Sequence, residues 1–195
     1  MKISHAAILA LAVPMALAAQ QPAPSQQGGP ITSAFRARYM NFYRILPQAF
    51  DSIPESKFSY KPTPAQLSIG YVAQHLANDN YFFCNNFGAM KATRSAEETS
   101  TADSIKATWP KAKLVAQLRE SITFCQNALG QLDDAKLGEA IEISFGGGTP
   151  RPSTRAAMAV AHSIDMADHY SQLANYMRLN NMLPPTALPR PPARP

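Results

Sequence analysis

Apolar residues recur every three or four positions in four stretches of this chain, the spacing of an α-helix that buries one face. The first predicted helix covers about 32–53, with Phe35, Tyr39, Phe42, Leu46, Phe50 and Ile53 on one side. Pro47 lies inside it and predicts a kink, and Pro54 closes it. After the proline-punctuated segment 55-ESKFSYKPTPAQL-67, Ser68 is placed to cap a second helix. That helix runs to about Phe87, with Val72, Leu76, Asn80 and Phe83 inward. The third, about 111–130, carries Leu114, Leu118, Ile122, Cys125 and Leu129. The fourth starts near Ser153 and ends near Asn181, where Asn180-Asn181 suits a left-handed cap ahead of Pro184-Pro185. No sustained alternating pattern competes with these helices, so the fold class is all-α, a four-helix bundle.

The connections are polar. Residues 92–109, rich in Ser and Thr, read as a loop ending at the single tryptophan, Trp109. Within 131–152, the alternation of Ile141-Glu142-Ile143-Ser144-Phe145 predicts a short irregular or β-like piece before the last helix. The GGGTPRP that follows lacks the Lys-Ser/Thr of a phosphate loop and reads as a flexible turn.

Both ends fall outside the helical pattern. Residues 1–18 combine a short basic start, an apolar run too short to span a bilayer, and a small-residue site at Ala16-Leu17-Ala18, the signature of a secretory signal peptide cleaved near Ala18. Residues 19–31 form a Pro/Gln/Gly linker expected to be disordered, and 184–195 a Pro-rich basic tail expected to be extended and solvated. The domain itself is then 32–183. The expected location is periplasmic or secreted, with no membrane contact after cleavage.

Composition alters this picture little. The formal charge of +5 falls to +4 once Lys2 leaves with the leader. The basic residues are scattered, where nucleic-acid binding needs a clustered basic face, so nucleic acid is not an expected partner. In an oxidising compartment the two cysteines, Cys84 and Cys125, favour a disulfide over two buried thiols. A homodimer is compatible with a bundle, although no exposed stripe assigns one. Met158, Met166 and Met177, like Tyr81, Phe82 and Phe83, read as core rather than as ligands.

Candidate chemistry lies where the oily stripes are interrupted. The segments 71-YVAQHLANDNYFFC-84 and 161-AHSIDMADHYSQLANYMRLNNMLPP-185 set histidines and carboxylates on inward helix faces. Burying such groups costs several kcal/mol unless they are paired, hydrogen-bonded or metal-bound. Asp165 and His169 are one turn apart, about 6 Å along the axis and roughly 40° around it, the grip of an i, i+4 metal-binding pair. His162 and His169 share a face but lie about 10.5 Å apart along it, too far to hold one ion. The ligand set is therefore His75, Asp165 and His169, with a His162–Asp165 pairing left as a second possibility. Asp79, Asp168 and His162 are placed as possible second-shell neighbours, Asp168 with a solvated carboxylate as its simpler reading. Two imidazoles and one carboxylate leave coordination positions open, as at catalytic rather than structural zinc. They do not choose between zinc, nickel, manganese and iron.

Three motifs in order resemble the DinB-like superfamily, which includes the YfiT-type metal-dependent bundles. They are FDSIPESKFSYKPTPAQ, GYVAQHLANDNYFFC and DHYSQLANYMRLNNMLPP, and with the helix order they cover about 32–187. The resemblance implies a divalent-metal site of three histidines, one on the second helix and an i, i+4 pair on the fourth. His75 and His169 match two of them, and Asp165 stands at the third. Ser171 and Asn181 replace two glycines of the closing motif. The implied activity is metal-dependent hydrolysis, isomerisation or thiol transfer on an unknown small molecule, using metal-activated water or thiol. The alternatives are a non-catalytic binding or scaffold protein with a degenerate site, and metal carriage.

Overall fold

The computed structural model describes residues 28–144 and 146–189. The expected leader (1–18), residues 19–27 of the expected linker, Phe145 and residues 190–195 lie outside them. Four long helices form the bundle: α1 (Pro30–Ser52), α2 (Ile69–Cys84), α5 (Lys111–Leu129) and α6 (Arg155–Leu179). Two short helices, α3 (Ala96–Ser100) and α4 (Asp103–Lys106), lie between α2 and α5. A hairpin of β1 (Ala140–Ile143) and β2 (Arg151–Thr154) leads into α6. No helix among the described residues is long and apolar enough to cross a membrane.

Each long helix forms where its apolar stripe meets a local start signal. Ser68 caps α2 by accepting the Tyr71 N–H at 3.1 Å, and Thr154 caps α6 by accepting that of Ala157 at 3.1 Å. Asn181 takes a φ of 58° just past α6, the left-handed stop its side chain tolerates. The stripes converge on one core in which Tyr39, Phe50, Leu76, Leu114, Leu118 and Leu173 are fully buried. Met158, Met166 and Met177 fill the same core, as do Tyr81 and Phe83. The first turn of α2 passes so close to α4 that a Cβ at Gly70 would meet the Ala107 carbonyl oxygen at 2.3 Å, so this position excludes any side chain.

Three boundaries differ from expectation. The loop at 92–109 is not open: Ser95 and Glu98 form a capping box that starts α3. Glu98 also accepts from Gln117 of α5 at 2.7 Å, which draws the segment onto the bundle. The β-like piece expected before the last helix is present as a paired hairpin, in which Gly146 and Gly147 adopt positive φ and turn the chain back so that Ile143 faces Arg151. Helix α1 begins at Pro30, inside the stretch read as linker, because Asp134 accepts the Ile31 and Thr32 N–H groups and satisfies its first turn. The tail begins later than expected. Pro184 is buried, and Thr186 both accepts from the Tyr170 hydroxyl at 2.9 Å and donates its N–H to it at 3.1 Å.

Leu118→Ala in the middle of α5 is expected to lower unfolding free energy by about 3 kcal/mol, the cost of a core cavity. Ser68→Ala should lower it by only about 1 kcal/mol, the worth of one cap. Urea denaturation of both variants measures the difference.

Candidate metal centre

Helices α2 and α6 pack together, and their i, i+4 pairs meet face to face. On α2, His75 Nε2 lies 3.1 Å from Asp79 Oδ2. On α6, His169 Nε2 lies 3.4 Å from Asp165 Oδ1. The two imidazoles cross edge to face with centroids 4.8 Å apart. One donor atom from each of the four residues falls within 4.8 Å of all the others. His169 is buried and the other three are half-buried, so the cluster sits at the edge of the core.

This arrangement includes a residue that sequence reasoning gave no role. Gln172 Oε1 lies 3.2 Å from His169 Nδ1, and its amide nitrogen donates to the Tyr176 hydroxyl at 2.9 Å. Accepting the Nδ1 proton fixes the ring tautomer and leaves the Nε2 lone pair facing the cluster, the support that metal-binding imidazoles usually have. Its signal was present in the sequence: Gln172 follows His169 by three residues and so shares its face.

The three residues expected to stand behind the ligands divide. Asp79 contacts the same His75 nitrogen that looks into the cluster, so it stands among the donors rather than behind one. Asp168 is exposed and lies on the rim of the cleft beside His169. His162 is not at this centre. It is fully buried and turned toward Tyr43 and Cys84, because it lies two turns, about 10.5 Å, along the same α6 face from His169. The paired cysteines, Cys84 and Cys125, form a disulfide between α2 and α5.

The electrostatics are those of a site built around positive charge. Burial, and then the neighbouring Asp165 carboxylate, push Asp79 up to about 7. The buried Oδ2 of Asp165 has no hydrogen-bond partner, so a donor or a cation would satisfy it. Burial pulls His169 down, but the hydrogen bond and charge of Asp165 outweigh it and the ring ends above its ordinary value. Burial lowers His75, reinforced by the charge of His169. Two carboxylates held together are costly in water-poor surroundings, and a cation among them offsets that repulsion while the neutral imidazoles offer it their lone pairs. Two imidazoles and two carboxylates are hard-to-borderline donors that suit a divalent first-row metal. The residues fit such an ion.

His169 also lines a cleft of about 480 Å³ with Gln66, Leu67, Asn175 and Tyr176. On the far side of Gln66 and Leu67 opens a larger cavity of about 810 Å³, bounded by Phe58, Trp109 and Tyr71. The Tyr71 ring stands 6.0 Å from that of His75. The 59–68 connection therefore forms the partition between two clefts that flank the cluster.

A model described as the DinB superfamily matches residues 41–173. Among solved structures, a DinB-like protein from Bacillus cereus ATCC 10987 superposes with a TM-score of 0.60 at 16% identity, over 78% of this chain and 95% of that one. A conserved protein from Enterococcus faecalis superposes with a TM-score of 0.55 at 16% identity, over 76% and 96%. No curated protein matches the chain. The fold is that of the DinB-like all-α bundles. The chain belongs to the DinB superfamily.

The proton on Asp79 generates a pH dependence. Metal uptake must displace it, so divalent-ion affinity is expected to rise with pH through about 7, with proton release on binding. The metal-free fold should respond oppositely. Asp79 ionises near 3.8 when unfolded and near 7 when folded, so the folded state holds the extra proton and loses stability as pH rises between those values. Asp79→Asn is thus expected to raise the metal-free Tm at pH 8 while flattening the pH dependence of binding. Gln172→Ala should weaken metal binding by about 10- to 100-fold, the usual cost of losing such support. Isothermal titration in two buffers of different ionisation enthalpy, with thermal melts, reads all of these effects.

Proposed function

We propose that this DinB-superfamily protein is an exported, divalent-metal-dependent enzyme, a hydrolase or transferase acting on a small molecule. The observation that carries this reading is the meeting of His75, Asp79, Asp165 and His169 from two helices, with His169 also lining a cleft. His75, Asp165 and His169 would hold the ion. When bound, such an ion supplies Lewis acidity, lowering the pKa of a water or thiol and polarising a carbonyl.

The chain's own residues do the rest. Gln172 fixes His169 in the tautomer that offers Nε2. Asp79 is the more open of the two carboxylates, with 24% of its side chain exposed against 16% for Asp165, and takes the proton that a reactant gives up. Gln66, Asn175 and Tyr176 give the cleft an amide-rich wall with an aromatic edge, suited to a small polar molecule. Export rests on the leader pattern of residues 1–18.

Protein purified without chelator is expected to carry about one equivalent of zinc, nickel, manganese or iron. His75→Ala and His169→Ala should each lose it, and a panel of ester, amide and thiol-transfer substrates should show turnover that follows metal content. A metal-free protein that takes up none of these ions sinks the proposal. Full metal binding without turnover favours instead a metal-carrying or binding protein built on the same four donors.

A further inference from the structure

A second group of donors meets in the core where α5 joins the same two helices, and the site above uses none of them. Cys84 of α2, Cys125 of α5 and His162 of α6 are each fully buried. One ligand atom from each lies within 4.8 Å of the others. His162 Nε2 stands 3.8 Å from Cys84 Sγ and 3.2 Å from the Tyr43 hydroxyl. That hydroxyl is 4.0 Å from Cys84 Sγ.

These separations are close to the edges of a small tetrahedron. Zinc bonds of about 2.3 Å to sulfur and about 2.0–2.1 Å to nitrogen set neighbouring ligand atoms roughly 3.3–3.8 Å apart. Imidazole, phenol and one sulfur already stand near that spacing. Only the two sulfurs are too close, because the disulfide joins them. Their Cα atoms are 5.2 Å apart on neighbouring helices, so rotation about the side-chain bonds separates the sulfurs once they are no longer bonded.

Charge favours the same outcome. A zinc ion with two thiolates and a neutral imidazole has no net charge, which a dry core tolerates far better than a lone ion. Burial keeps His162 neutral. Its Nδ1 has no hydrogen-bond partner, so the ring's polar contacts are all on the Nε2 edge, toward sulfur and phenol.

We propose that the reduced protein binds a zinc ion through Cys84, Cys125 and His162, with the Tyr43 hydroxyl at the fourth corner. The disulfide and the zinc ion are then alternative clasps for the same junction of α1, α2, α5 and α6. Reduction by a phosphine transfers two electrons from phosphorus to the sulfur pair. Water supplies two protons to the thiols and its oxygen to the phosphine oxide. Zinc then displaces both thiol protons, leaving two zinc–sulfur bonds and two released protons. This inference is independent of the reading of the His75–His169 cluster.

The test uses the full chain, unfolded and refolded with zinc or cobalt(II), either with its disulfide intact or with a phosphine present. The reduced protein should hold one more metal per chain than the oxidised protein, whatever number the oxidised form holds. Its cobalt form should show sulfur-to-cobalt charge-transfer absorption that the oxidised form lacks. X-ray absorption at the zinc edge should show two sulfurs and at least one imidazole nitrogen around the extra ion, which needs no variant. Cys125→Ser, if it folds by far-ultraviolet circular dichroism, should weaken the extra site at least tenfold. A reduced, folded protein with no additional metal, or with the added zinc surrounded by nitrogen and oxygen alone, overturns the proposal.

Discussion

The packing of α2 against α6 governs this molecule, because each helix brings polar groups to a face that must be buried. A bundle helix normally meets its neighbours with apolar side chains. Here His75 and Asp79 meet Asp165 and His169, and each side supplies what the other lacks. Neither helix could bury its pair against an oily partner without a penalty of several kcal/mol. The register of the two helices is therefore tied to the polar pairs as well as to Leu76, Met166 and Leu173, which pack in the same core. A slip of one turn would part the two pairs and strand the carboxylates.

Much of the bundle was legible because helix periodicity is a local property. Ser68, Thr154 and Asn181 act where propensity places them, and the long helices end within a few residues of their predicted limits. The differences all lie where a distant residue settles a local choice. Glu98 draws 92–109 onto α5 through Gln117, Asp134 adds a turn to the start of α1, and Tyr170 holds Thr186. No pattern within those segments reveals the partner, since the separations run from 16 to more than 100 residues.

The site was legible to the extent that helix geometry could carry it. Spacing alone pairs Asp165 with His169 and separates His162 from His169, and the structure keeps both relations. Two features needed the third dimension. Asp79 shares His75's face in any helix, but whether it stands behind the ring or in front of it depends on the side-chain rotamer. Gln172 is recognisable only once His169 is known to need an acceptor at Nδ1.

Two groups of donors thus occupy successive levels of one interface and differ in what water allows them. The outer group is partly exposed and rich in carboxylate, and its His169 lines a cleft, so ions and small molecules can reach it and exchange. The inner group is sealed, rich in sulfur and surrounded by Tyr39, Phe83 and Phe87, so whatever it holds is fixed during folding. Helix α2 bears on both, through Asp79 and, little more than a turn later, Cys84. Helix α6 does the same in the opposite direction, with Asp165 outside and His162 within. Anything that shifts α2 relative to α6 at the inner level must also alter the donor distances at the outer one. The disulfide steadies the α2 side of that geometry, because it ties α2 to α5 just beyond the centre without occupying any of its donors.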